Sequence, residues 1–366
     1  MKKILLLTIE DYENFGNRLQ HFALQRKIEL YGFTVSSLML KADISPIKLR
    51  LKNIAKALMI CGGIEKYRSS LGQSKRCEKI LFFNKHYFSH IVRILPEQLC
   101  NTNWSCYDYA VTGSDQVWHN WHNKSIPDEL PLFYLEFIET SKRVSYAPSF
   151  GFKSFPPEDV EKHRHGLMEM RALSCREQDG CELIRVLTGR EAQKVLDPTL
   201  LLTEDEWSEV EKKPHFKLPD RYLLYYFLGD ATPEYQTEIK RIADARCLQI
   251  ININDKTDPI HYAIGPGEFI WLIHHADTIC TDSFHASVFS ITFKRNLRAF
   301  RREQTGFKNM FGRLQDLLEP LGLMSLVFGD GDGLSTILSE EAKEYLSVER
   351  ETSLRYLKES LEINEN

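Results

Sequence analysis

No stretch of the chain approaches the roughly 20 consecutive apolar residues of a membrane-spanning helix, so nothing in it reads as a transmembrane segment. A strong charge of one sign is also missing. The 47 Lys and Arg face 51 Asp and Glu, a formal net charge of −4. No global field draws in nucleic acid, and there is no RNA-binding signature or zinc-finger spacing; nucleic acid is not an expected partner. The eight cysteines, Cys61, Cys77, Cys100, Cys106, Cys175, Cys181, Cys247 and Cys280, form no C-x-x-C pair. Zinc sites use tight paired spacing, so no metal is expected. A disulfide framework is not expected either, and reduced thiols in a cytoplasmic protein are the reading. Also absent are a Walker loop, G-x-G-x-x-G, H-E-x-x-H and G-x-S-x-G. That removes the common nucleotide, dinucleotide, zincin and α/β-hydrolase readings at motif level. It leaves open enzymes of nucleotide-sugars, which often lack a short signature.

What is present is a soluble globular chain. Hydrophobic residues make up 43% and charged residues 27%, ordinary for that class, and 366 residues suit two domains better than one. Met1–Glu10 could be mistaken for a signal peptide, but its apolar run is short, has no small-residue cleavage site and ends in acid. It reads as a buried first strand. Further strands are expected at Thr34–Leu38, Tyr109–Thr112, Arg143–Tyr146, Ala172–Cys175, Tyr222–Phe227, Gln249–Ile253 and Thr278–Thr281, with helical patterns between them. This alternation predicts α/β layers. Arg18–Tyr31 places Leu19, Phe22, Ala23 and Leu30 on one helix face and Arg18, Gln25 and Glu29 on the other. Thr203 and Glu206 have capping-box spacing.

The polar, proline-bearing stretch Lys212–Asp220 marks a boundary, after which the alternation restarts. The expected division is a first Rossmann-like domain over 1–210, a second over 211–334, and a charged helical tail over 335–366 that can cross back onto the first. Lys41–Lys85 breaks the rhythm. It holds eleven Lys and Arg, from Lys41 to Lys85, against Asp43, Glu65 and Glu78, interleaved with Ile47, Leu51, Ile54 and Leu58. Two readings stand: a basic amphipathic face that lies on anionic lipid, or a solvated flap over a cleft.

Polar clusters follow the expected strands. In Asn14-Phe-Gly-Asn17, Gly16 permits a tight turn, and helix capping explains one asparagine but not both. Ser114, Asp115 and Gln116, followed by Trp118, offer hydroxyl-binding groups and a ring to stack on a sugar; a helix cap is the alternative. Arg176 closes a short apolar strand, placed either to grip a carboxylate or phosphate or to pair with Glu177 or Asp179. His285 follows Thr281-Asp-Ser-Phe284, where a strand hands over to a helix. Open α/β sheets bind ligands there, helix N-termini attract anions, and imidazole titrates in the neutral range. A packed histidine between Phe284 and Phe289 is the other reading. A cationic cluster, Arg298, Arg301, Arg302, Lys308 and Arg313, comes next.

In order, Asn14–Gln20, Gly113–Trp118, Ser145–Gly151, Ser174–Glu177, Val195-Leu-Asp-Pro-Thr199, Thr281–His285 and Arg313–Leu323 resemble the polysaccharide pyruvyl transferase family. The resemblance implies a GT-B-like α/β fold, two Rossmann-like domains with a cleft between them. It implies transfer of the enolpyruvyl group of phosphoenolpyruvate, as donor substrate with no other cofactor, to two hydroxyls of a sugar. The acceptor would be a polysaccharide or a lipid-linked precursor, and the products a pyruvate ketal and phosphate. His285 would then be the acid/base group and Arg176 a donor ligand, with Asn14, Asn17, Ser114, Asp115, Gln116 and Ser149 as further binding candidates. Many members carry an arginine two residues before the histidine; here the position is Ser283, and Arg301, Arg302 or Arg313 would supply the charge. The expected location is cytoplasmic, with peripheral contact at the membrane face as the lipid reading of the insertion. A GT-B-like nucleotide-sugar glycosyltransferase and a non-catalytic glycan-binding module are the rival functions.

Overall fold

The computed structural model describes residues 2–40, 46–121, 128–302 and 311–363. Asp43 and Lys308, like the insertion's first residue Lys41, lie outside the described residues. Strand β1 (Lys3–Leu7) is followed by helix α1 (Phe15–Leu30), β2 (Thr34–Met39), α2 (Pro46–Cys61), α3 (Arg68–Tyr87), β3 (His90–Arg93), β4 (Tyr109–Thr112), α4 (Leu130–Phe133) and β5 (Arg143–Ser145). Next come α5 (Val160–Met168), β6 (Ser174–Cys175), α6 (Gln178–Thr188), β7 (Gln193–Lys194) and α7 (Glu204–Ser208). A second series holds β8 (Tyr222–Tyr226), α8 (Pro233–Ala245), β9 (Gln249–Asn252), α9 (Pro259–Tyr262), α10 (Pro266–His275), β10 (Thr278–Thr281), α11 (Phe284–Thr292) and β11 (Asn296–Ala299). The chain ends with α12 (Phe311–Leu318) and α13 (Glu340–Ser360).

Two parallel sheets result. The first has the order β3-β2-β1-β4-β5 and the second β11-β10-β8-β9, while β6 and β7 pair separately. Ile4 lies beside Val35 on one side and Tyr109 on the other; Ile279 lies between Leu224 and Leu297. Helices cover both faces, so the central strands are buried on both sides and need continuous apolar runs such as Ile4–Leu7. In each sheet the order reverses beside its first strand. The carboxyl ends of β1 and β4, and of β8 and β10, therefore form the crevices where open α/β sheets take ligands.

The sequence expectation fails for α1. Arg18 and Gln25, assigned to a solvated face, are buried, and Leu30 is 56% exposed. The helix is enclosed on both sides: Leu24 and Ile28 pack with Ile4 and Leu6, while Phe15, Leu19 and Phe22 pack with Trp207 of α7 and with Tyr226 and Phe269 of the second series. Helix α13 returns to the first sheet. Leu357 and Leu361 join Ile4, Leu6 and Val111, and the Tyr356 hydroxyl donates to the Ser145 carbonyl at 2.8 Å.

Candidate functional site

A cavity of about 510 Å³ lies between the carboxyl ends of the two sheets. Helix α1 begins at its edge because the Asn14 side chain accepts from the Gly16 N–H at 2.9 Å. Gly16 has a steric task as well. A Cβ there would lie 2.1 Å from His285 Nδ1, so the imidazole rests directly on the first turn of α1. From the other side, the Thr281 hydroxyl accepts from Ser283 N–H at 3.0 Å, and Ser283 caps α11 by accepting from Ala286 N–H. His285 is the second residue of that helix, 4% exposed, and lines the cavity.

Behind His285 lies a carboxylate that the sequence did not single out. Asp197 is buried; Oδ1 accepts from the Thr199 N–H and hydroxyl at 3.0 and 2.7 Å, and Oδ2 accepts from Arg176 Nη1 at 2.8 Å. His285 Nε2 is 3.7 Å from Oδ2, an ion-pair distance too long for a hydrogen bond. Burial pushes the Asp197 carboxyl upward, but His285 and Arg176 outweigh it and hold it well below the usual carboxylate range. Val195–Thr199 was among the family-like segments, and an Asp-Pro turn was the available signal.

Arg176 does not line this cavity. Its guanidinium meets Asp197, Glu177 at 2.9 Å and Asp115 at 3.5 Å. Burial disfavours its charge, yet Glu177, Asp115 and Asp197 together raise its pKa further. In this arrangement the guanidinium is the centre of an ion-pair hub within the wall. The Glu177 pair is present, whereas Asp179 pairs with Lys153. Asp115 stands in the left-handed region, φ 65°, where it also meets Arg313 Nη1 at 3.1 Å. Burial raises the Asp115 carboxyl, and Arg176 and Arg313 more than reverse that. Arg313 is drawn down to about 10 by burial and by Arg176.

The remaining candidates divide. Asn14, Asn17, Asp115, Gln116, Ser283, Arg302 and Arg313 line the cavity. Asn17 Oδ1 and His285 Nε2 are buried polar atoms with no hydrogen-bond partner among the described residues. Ser114 does not line it: its N–H and hydroxyl donate to Gln20 Oε1 at 3.0 and 2.9 Å, which fixes the loop after β4. Ser149 likewise lies off the cavity, its N–H donating to the Asp115 carbonyl at 2.8 Å. Arg301 turns away to the Phe328 carbonyl and Asp330. Of the three arginines offered in place of the family residue at Ser283, Arg302 and Arg313 reach the cavity; Asp282 orients Arg302 at 3.0 Å. Trp118, expected to stack on a sugar, is buried against Tyr134 and Phe150, and Trp121 lines the cavity instead.

Arg76 is one of the basic residues of the insertion. It is buried, lines the cavity, and donates to the Tyr262, Glu13 and Ile253 carbonyls and to Asn254 Oδ1. The cavity is consequently polarised. Arg76, Arg302, Arg313, Lys256 and His285 supply positive or protonatable groups, and Glu10, Asp11, Glu13 and Glu129 line the side of the first sheet. Glu211, His274 and His275 bring metal-ligand-type atoms within 4.8 Å of one another, but none of them lines the cavity.

The family model for polysaccharide pyruvyl transferase matches residues 14–303. No curated protein matches the chain. Among solved structures, UDP-GlcNAc 2-epimerase from Methanocaldococcus jannaschii is similar with a TM-score of 0.51 at 14% identity, over 96% of this chain and 92% of that one. Another is the E. coli ADP-heptose lps heptosyltransferase II, with a TM-score of 0.36 at 16% identity, over 98% and 99%. The architecture is GT-B-like, two α/β halves around a cleft.

Proposed function

The chain belongs to the polysaccharide pyruvyl transferase family, and from that premise we propose that it transfers the enolpyruvyl group of phosphoenolpyruvate to two hydroxyls of one sugar in a polysaccharide or its lipid-linked precursor. The observation that carries this reading is His285: a buried imidazole whose Nε2 has no hydrogen-bond partner among the described residues and lies 3.7 Å from the Asp197 carboxylate, on a cavity that also holds Arg76, Arg302 and Arg313.

The donor carries a carboxylate and a phosphate, and a guanidinium wall stabilises both and the charge that develops on the leaving group. Carbon 3 of the enol gains a proton, which leaves carbon 2 electrophilic. One sugar hydroxyl adds to carbon 2 and loses its proton. The carbon–oxygen bond to phosphate breaks, a second hydroxyl adds and loses its proton, and phosphate departs carrying one proton. The products are a ketal and phosphate. His285 gives and takes protons in these steps. Asp197 balances the charge of the imidazolium, and the acidic and aromatic wall, with Asp11, Glu13 and Trp121, accepts hydroxyl protons and packs the sugar.

The test is phosphate release from phosphoenolpyruvate against a panel of free and lipid-linked glycans. His285→Ala should lower turnover by about 100-fold or more with the fold intact by circular dichroism. Near wild-type turnover in a folded variant would remove His285 from the chemistry. Release from no acceptor, together with tight uridine or guanosine diphosphate binding, would favour glycosyl transfer.

A further inference from the structure

Helix α2 carries an outward apolar stripe, whereas a surface helix packed on a protein core keeps its apolar stripe turned inward. Ile47, Leu51, Ile54 and Leu58, spaced along one face, are 73, 62, 53 and 68% exposed. The inward side is mixed: Leu49, Ala57 and Ile60 are half-buried beside Asn53, which is 5% exposed and donates to Glu78 at 2.8 Å, and Lys56, whose Nζ donates to the Ser70 carbonyl at 3.0 Å. Lys48, Arg50 and Lys52 are exposed on the flanks of the apolar stripe, and α2 contains no acidic residue. A flap over the cleft would turn its apolar side inward, but no residue of α2 lines the cleft cavity.

We infer that α2 is a docking face for an anionic lipid bilayer. The stripe supplies side chains that enter the acyl boundary, and the basic flanks sit at the level of the phosphates. Charge complementarity selects this occupant, because the cationic face stands on a chain with a net charge of −4. The surface continues beyond the helix. Ile47 and Arg50 border a groove of about 1050 Å³ also lined by Lys75, Phe82, Lys85 and Ile260, of which Phe82 and Ile260 are 60 and 62% exposed. The docking face and the cleft are joined through α3, which packs on α2 and sends Arg76 into the cavity wall. This inference is independent of the proposed chemistry.

The experiment is co-sedimentation of the full chain with vesicles of phosphatidylglycerol and phosphatidylcholine, and of phosphatidylcholine alone, at low and high salt. The expected result is binding to the anionic vesicles at low salt and release at high salt. Leu51→Gln with Leu58→Gln should weaken partitioning about tenfold or more without lowering Tm, since both side chains are exposed. Ile47→Gln with Ile54→Gln provides a second pair. A wild-type protein that stays in the supernatant at low salt overturns the inference, as does undiminished binding by both pairs. A solution dimer that the Leu51/Leu58 pair dissociates, with no vesicle binding, would assign the stripe to a second copy of the chain.

Discussion

Arg176 sits among three carboxylates, and this determines what its loss would do. Asp197 and Asp115 are buried with it, so removing the guanidinium strands negative charge in a low-dielectric wall. Arg176→Ala is expected to cost about 3–5 kcal/mol in urea unfolding. Arg176→Lys keeps the charge but not the fork that meets three partners. It should lower stability and kcat, the latter through a displaced Asp197, with little change in donor KM. A raised KM at unchanged stability would instead return Arg176 to the role of donor ligand. Residue type and placement at a strand end were visible in the sequence, but Asp115 and Asp197, which compensate the charge, come from the turns after β4 and β7. Only Glu177 was near enough in sequence to be foreseen.

At the scale of elements, two helix N-termini meet across the cleft. Helix α1 contributes Asn14 and Gly16, and α11 contributes Ser283 and His285. Their contact has no room for a side chain at residue 16. Gly16→Ala should therefore lower kcat about 100-fold by displacing the imidazole, since a misplacement near 1 Å costs that much. Circular dichroism should show helix content retained, because alanine favours a helix over glycine. Wild-type kcat in this variant would mean that His285 does not act from this position. Apolar runs made β1, β4, β8 and β10 legible, and the capping box of α7 is formed as spaced. His90–Arg93 and Asn296–Ala299 were not recognised as strands. The first is a partly exposed edge strand with polar ends, and the second carries Arg298, whose burial depends on Glu238 from α8.

At the scale of the molecule, buried histidines couple folding to pH. His163 is fully buried among Phe150, Phe152 and Phe155, and burial lowers its pKa to about 4. His21, between Thr8 and Ser37, is likewise driven well below its usual value by burial. The unfolded chain binds protons at these positions from about pH 6.5 downward, and the folded chain does not. Stability is therefore complete above pH 6.5 and lost as pH falls toward 4, by roughly 3 kcal/mol for His163 alone. Urea unfolding at pH 7.5 and pH 5 measures this loss. His163→Gln should flatten the profile over that window, and an unchanged slope would mean that His163 is protonated in the fold.

The sequence by itself determined the α/β class, most central strands, the family and the position of His285, because apolar runs and strand-end polar turns are local signals. It also placed Asn14, Asp115, Arg302 and Arg313 among the binding candidates without saying how they face one another. Tertiary structure decided the rest. It buried Arg18 and Gln25 by enclosing α1 on both sides, turned Trp118 into core and Arg301 away from the cleft, and brought Asp197 behind His285 from 88 positions away in sequence. It also drew Arg76 out of a basic surface segment into the cavity wall. The physical reason is common to all of these. Burial and pairing of a charge depend on which distant backbone segment supplies the opposing dipole or carboxylate, and that is a property of sheet order and helix packing rather than of local pattern.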